Sequence, residues 1–60
     1  MRTKIIFTES DLGLQWKAND EGYIDGYISD RYGETFACVV VNYKVVKAPL
    51  RVLRVTGIIA

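Results

Sequence analysis

Histidine is absent from this chain of 60 residues, and cysteine, proline and tryptophan each occur once. Without histidine the chain lacks the side chain that most often acts as a general acid or base near neutral pH. The single thiol, Cys38, excludes an intrachain disulfide, and one cysteine without histidine cannot form an ordinary zinc site. We therefore expect no catalytic residue, no metal and no cofactor, and we predict that the chain is not an enzyme.

Long apolar runs are missing as well. Runs such as residues 37–41 and 57–60 are far below the roughly 20 residues that a membrane helix needs. Near the N-terminus, the apolar residues 5–7 are followed at once by the polar residues 8–11, which leaves no room for the core of a signal peptide. With no export signal and one reduced thiol, we expect a cytoplasmic location. The small size favours a phage, prophage or accessory gene as the source.

The length of the chain limits how much apolar surface it can bury. We expect a single domain over residues 1–60, and a chain of this size buries only roughly 60% of its unfolded surface. A disulfide or a metal would normally compensate in so small a domain, and both are excluded here. Because half of the residues are hydrophobic, association with a protein partner or with further copies is the stabilising device that remains.

Apolar residues in this chain follow the pattern of β-strands. Val, Ile, Thr and aromatic residues occur in short runs separated by Gly, Asn and Asp, which predicts an all-β chain. The five expected strands are residues 3–8, 22–29, 35–41, 44–48 and 53–59. A long arm over residues 9–20 follows the first strand, with Ser10-Asp11 as a possible cap of a short helix. Asp30 to Gly33 predicts a turn with a bulge, Asn42-Tyr43 a tight turn, and Pro49 the end of the fourth strand.

Two segments resemble parts of the SH3-like small β-barrels, the group that includes SH3 domains and KOW-type ribosomal and transcription modules. Residues 14–20 are similar to the diverging turn of SH3 domains, with Asn19 where that family prefers Gly. Residues 47–53 are similar to its sequence of strand, Pro, short 3₁₀ turn and closing strand. The resemblance implies a five-stranded SH3-like barrel with a long arm after the first strand and a short 3₁₀ turn before the last. The implied core is Ile6, Leu14, Trp16, Ile24, Ala37, Val39, Val41, Val46, Ala48, Leu53 and Val55.

The residues with which SH3 domains bind polyproline are mostly missing from this chain. The family uses a cluster of Tyr, Trp and Pro side chains, of which only Pro49 is present. Phe36 stands in place of the Trp, and Val52 stands in place of the Tyr in the 3₁₀ turn. Because the aromatic ridges that hold a polyproline helix are absent, we do not expect a polyproline ligand.

Charges are segregated along the chain, although the formal net charge is only +1. Residues 19–34 contain five acidic residues and one Arg, whereas residues 35–60 contain four basic residues and no acid. This pattern favours either head-to-tail pairing between copies or a basic strip for nucleic acid, beside the plainer possibility of a solvated basic edge. Nucleic-acid binding, which the KOW-like resemblance allows, is the alternative function, and its candidate residues are Lys44, Lys47, Arg51 and Arg54.

One face of the predicted sheet has no second layer to cover it. The side chains expected to point away from the barrel interior are Tyr23, Tyr27, Phe36, Cys38, Val40 and Val45. A contiguous apolar surface of this kind marks an interface, and Asp25 and Lys47 would form its polar rim.

We therefore predict a non-enzymatic protein–protein interaction module, either a homo-oligomer or a small accessory or regulatory protein that docks on a larger partner. The predicted partner-binding residues are Tyr23, Tyr27, Phe36, Val40 and Val45. Cys38 is expected to serve as a small hydrophobic residue. Another possibility is that the arm over residues 9–20 folds over this face and makes it part of the core.

Overall fold

The computed structural model describes residues 1–59, which form one antiparallel sheet of five strands. In chain order the strands are β1 (Arg2–Phe7), β2 (Glu21–Ser29), β3 (Thr35–Val41), β4 (Lys44–Pro49) and β5 (Leu53–Ile59), with the 3₁₀ turn η1 (Leu50–Val52) between β4 and β5. The all-β prediction is confirmed, and the bounds of β3 and β5 are those expected from the sequence.

The strands are arranged in the order β4-β3-β2-β1-β5, so β4 and β5 are the two edges of the sheet. Each pair of neighbours is antiparallel. The sheet is not closed, because no ladder joins β4 to β5 within residues 1–59.

The core lies on one side of this sheet. Seven of its buried side chains come from β1, β3 and β4, and the arm and η1 each add one; together they are Ile5, Phe7, Trp16, Ala37, Val39, Val41, Val46, Ala48 and Val52. Trp16 stacks on Phe7 with 4.6 Å between ring centroids and 15° between ring planes. Its indole N–H donates a hydrogen bond of 3.0 Å to the Glu9 carbonyl oxygen, so the polar atom of this buried ring has a partner.

Most of the expected core is confirmed, and Ile24 and Leu53 pack against it while partly buried. The prediction is wrong for Ile6, Leu14 and Val55. Side chains of β1 alternate as expected, but Ile5 and Phe7 are the buried pair, which places Ile6 on the other face.

Leu14 is 77% exposed because it lies in a turn of the arm, with a φ of 62°. Val55 is 62% exposed because the core does not extend over β5, which contributes none of the buried side chains of residues 1–59. Val52 is buried in η1 and was not expected in the core.

An extra residue in β2 changes which side chains share a face. Ile24 and Gly26 pair with consecutive residues of β3, so Asp25 between them has no partner on that strand. A β-bulge of this kind shifts the alternation of all residues beyond it by one position. As a result, Tyr27 pairs with the buried residue Ala37. The expectation that Tyr27 lies on the face turned away from the core is therefore wrong.

The arm folds as two turns that are held by carboxylate oxygens. Asp11 Oδ2 accepts a hydrogen bond of 3.2 Å from the Gln15 N–H, and Asp20 Oδ2 accepts one of 2.9 Å from the Lys17 N–H. Asn19 has a φ of 73°, in the left-handed region that Gly and Asn tolerate best. No residue of the arm is helical, so the short helix considered for Ser10-Asp11 does not form.

Close approach of β2 and β3 makes Gly22 a sensitive position. A Cβ at Gly22 would overlap the Val40 carbonyl oxygen and lie 3.1 Å from a Val39 methyl group, whereas a Cβ at Gly26 would meet nothing within 4 Å. We expect Gly22→Ala to lower the free energy of unfolding by about 1–3 kcal/mol, since the strands must move apart. Gly26→Ala is the matched control and should change it by less than about 0.5 kcal/mol. Urea unfolding measures both, and equal effects would contradict this register.

The turn between β3 and β4 contains a strained residue. Asn42 and Tyr43 have φ values of 52° and 64°, as in a type I′ turn, and the Tyr43 side chain is fully exposed. Tyr43→Gly should therefore be more stable than Tyr43→Ala by about 1 kcal/mol, because both variants lose the ring but only Gly relieves the left-handed backbone. Thermal unfolding of the two variants tests this. An Ala variant as stable as the Gly variant would rule out the strain.

Candidate functional site

The side of β2, β3 and β4 that is turned away from the core carries three cross-strand rows of side chains. From β4 to β2, the rows are Val45-Val40-Tyr23, Lys47-Cys38-Gly26 and Pro49-Phe36-Ile28. These nine residues are called the outer face. Val45 is 64% exposed and Ile28 is 46% exposed. The half-buried residues of this face include Tyr23, Phe36, Cys38 and Val40. The outer face is therefore a mainly apolar surface that remains in contact with solvent.

Four of the five predicted partner-binding residues lie together on the outer face: Tyr23, Phe36, Val40 and Val45. Tyr27 does not join them, because the bulge turns it to the other face. Ile28, which pairs with Phe36, lies on the outer face instead of Tyr27, and the sequence-based prediction missed it. The isolated Gly26 within a strand pattern is the sequence signal that could have indicated a bulge.

Two cations lie over the aromatic rings of the outer face. Lys47 Nζ is 4.9 Å from the centroid of the Phe36 ring, and Arg2 Cζ is 4.5 Å from that of Tyr23. At exposed positions each such contact contributes about 0.5–1 kcal/mol. The aliphatic stems of Lys and Arg also cover apolar surface while their charges stay in water. These contacts help to explain why both rings are half-buried although no second layer packs on them.

The arm packs on the core side of the sheet and leaves the outer face uncovered. Trp16 stacks on Phe7 within the core. Backbone hydrogen bonds fasten the arm to β1: the Asn19 N–H donates to the Phe7 carbonyl oxygen at 2.7 Å, and the Phe7 N–H donates to that of Asp20 at 3.0 Å. The alternative in which the arm closes over the outer face is therefore wrong.

The four basic residues proposed for nucleic-acid binding do not lie on one face. Lys44 and Lys47 both belong to the edge strand β4 but project from its opposite sides. Arg54 lies on β5, the other edge of the sheet. Arg51 lies in η1, and its Nη1 is 3.6 Å from Glu34 Oε1 in an exposed ion pair. Such a pair contributes little to stability, but it places a carboxylate beside one of the four cations.

A groove of about 220 Å³ lies between the arm and η1. Its walls include Trp16 and Pro49, and Glu9, Asp11 and Arg51 contribute charged groups. Ser10 also lines the groove, and its hydroxyl oxygen accepts a hydrogen bond of 3.0 Å from the Ala18 N–H. In the part of the chain that the structure describes, no three metal-ligating side chains cluster and no helix has the length and apolarity to cross a membrane.

Asp20 connects the arm to the turn between β3 and β4. Its carboxylate accepts hydrogen bonds from the Lys17 backbone N–H and, at 3.1 Å, from the Asn42 side-chain amide. The first of these bonds is the largest cause, and the second the next, of a pKa for Asp20 below its ordinary value. Because both donors favour the ionised carboxylate, protonation weakens the attachment of the arm.

This lowered pKa predicts how stability depends on pH. The contribution of Asp20 is fully present above its unfolded-state pKa and is lost as the pH falls through the lower folded-state pKa. The difference in unfolding free energy between the original chain and Asp20→Asn should therefore be largest at neutral pH and shrink below about pH 4. Urea unfolding as a function of pH measures this difference. Asp25→Asn removes a negative charge elsewhere and is the control; a constant difference for Asp20→Asn would contradict the role of its carboxylate.

The chain was compared with known proteins at the level of family, sequence and structure. No protein-family model matches it, and no curated protein and no solved structure is significantly similar to it.

Proposed function

We propose that this chain is a non-enzymatic protein–protein interaction module that binds its partner through the outer face. The observation that carries the proposal is the continuity of the apolar surface across three neighbouring strands. Two of its rows, Val45-Val40-Tyr23 and Pro49-Phe36-Ile28, are apolar from the edge of the sheet to β2, and Cys38 lies between them on β3. Monomeric proteins rarely leave large contiguous apolar surfaces open, and such surfaces mark binding sites.

The composition of the outer face also supports this function. Its centre holds Phe36, Val40 and Cys38, and its margins carry the cations of Lys47 and Arg2. Interfaces generally combine an apolar, aromatic centre with a polar rim, and aromatic residues dominate their binding energy. The small size of the domain adds a reason for association, because burying the outer face would add apolar contacts that the chain cannot make alone.

We further propose that the open sheet belongs to the SH3-like barrel architecture. Three features support this: β5 lies beside β1 with β4 at the far edge, η1 follows Pro49 directly, and Asn19 has the positive φ that suits a position where SH3 domains prefer Gly. Nucleic-acid binding stays a prediction from the sequence, as do the cytoplasmic location and the phage or accessory-gene source. The separation of the four basic residues gives no support to a single nucleic-acid strip.

Two valines of almost equal exposure allow a matched test of this function. Val45 is 64% exposed on the outer face, and Val55 is 62% exposed on β5. We expect Val45→Asp to reduce partner binding by at least about tenfold, because a desolvated charge at an apolar contact is costly, while Val55→Asp leaves binding unchanged. Each tagged variant is expressed in the source cell beside an untagged copy, and co-purifying proteins are quantified by mass spectrometry.

Thermal unfolding of both variants checks that they stay folded. Loss of the same proteins, including the untagged copy, in Val45→Asp alone would support the outer face. Identical sets of co-purifying proteins for both variants would refute the proposed function.

A further inference from the structure

We propose that the partner covering the outer face is a second copy of this chain, packed face to face about a two-fold axis that runs along β3. This inference rests on the proposed function of the outer face and adds the identity and the arrangement of the partner. The axis would place the β3 residue of each row opposite itself, and the β4 residue of each row opposite the β2 residue of the same row in the second copy.

Apolar side chains match under this arrangement. In the outer two rows, Val45 would lie opposite Tyr23 of the second copy, and Pro49 opposite Ile28. On the axis, Val40 and Phe36 would meet their own equivalents. Packed sheets lie about 10 Å apart with nearly aligned strands, which leaves space for these side chains to interdigitate.

The middle row provides the charge complementarity that selects a second copy. Lys47 would lie opposite Gly26, which has no side chain and whose Cβ position has no other atom within 4 Å, so nothing on β2 obstructs the lysine there. Asp25, the exposed bulge residue, is adjacent to Gly26 in β2. A lysine that extends over Gly26 would therefore reach the bulge that carries the Asp25 carboxylate in the second copy. The two-fold axis produces this contact twice.

The same row argues against the other simple two-fold arrangement. An axis that crosses the strands at the middle row would keep β4 over β4 and place Lys47 opposite Lys47 of the second copy. Like charges in direct opposition disfavour an interface. The axis along β3 avoids this repulsion and brings together charges of opposite sign.

The size of the outer face predicts the strength of the dimer. Three strands at the usual spacing and about six residues of strand length give a footprint of roughly 300 Å² per copy. This is well below the roughly 800 Å² per partner of a standard specific interface, so a complex formed through this face alone would be weak and transient. We therefore expect a dimer that forms between micromolar and millimolar concentration.

The arrangement can be tested by mixing two variants in which one charge of the contact is reversed. Lys47→Asp alone places two carboxylates together at each contact, and Asp25→Lys alone places two ammonium groups together, so each variant should dimerise at least about tenfold more weakly. An equimolar mixture should recover dimerisation to within about threefold of the original chain, because both contacts in the mixed dimer then pair opposite charges. Sedimentation equilibrium over a concentration series measures each dissociation constant. Lys44→Asp, on the other side of β4, is the control and should leave it unchanged.

The outcomes separate this inference from the proposed function. An original chain that stays monomeric to millimolar concentration overturns the inference, while co-purification of another protein that Val45→Asp abolishes would still support the proposed function. A dimer that Val45→Asp breaks but that charge-reversed variants do not recover on mixing overturns the arrangement alone. Growth beyond the dimer contradicts the two-fold axis. A dimer that survives Val45→Asp refutes this inference, and the proposed function then depends on the co-purification result alone.

Discussion

The stacking of Trp16 on Phe7 determines which face of the sheet becomes the core. A single sheet has two faces, and among residues 1–59 the segments outside the strands bury two side chains, Trp16 from the arm and Val52 from η1. Both pack on the same face as the buried residues of β1, β3 and β4. No other part of residues 1–59 forms a layer over the outer face, so it stays exposed.

Much of the fold could be predicted from the sequence because local signals agree with one another. Glycine and asparagine mark the turns, and the structure shows the expected positive φ at Gly33 and Asn42. β4 ends at Pro49, because proline has no backbone N–H to donate to a further hydrogen bond of the ladder. The strongly apolar β3 was placed correctly at both ends. These elements depend on residues that are close in sequence, so a pattern is enough to locate them.

The errors arise where a tertiary contact or a single extra residue decides the outcome. Alternation in β1 is compatible with either face, and only the stacking of Trp16 on Phe7 selects Ile5 over Ile6 for the core. Asp25 shifts the second half of β2, so Tyr27 and Ile28 exchange faces. Apart from the isolated Gly26, no local signal marks this shift. Four of the five predicted contact residues nevertheless lie on the outer face, since the bulge affects only residues that follow it.

The central claim is that association covers the outer face, and Cys38 allows a direct test. The thiol is half-buried in the middle row and is the only cysteine of the chain. The measurement is the rate of its alkylation by a small maleimide as protein concentration rises. Our account predicts a rate that falls with concentration, as β3 becomes covered, and that does not fall for Val45→Asp. An alkylation rate independent of concentration in the original chain would contradict it.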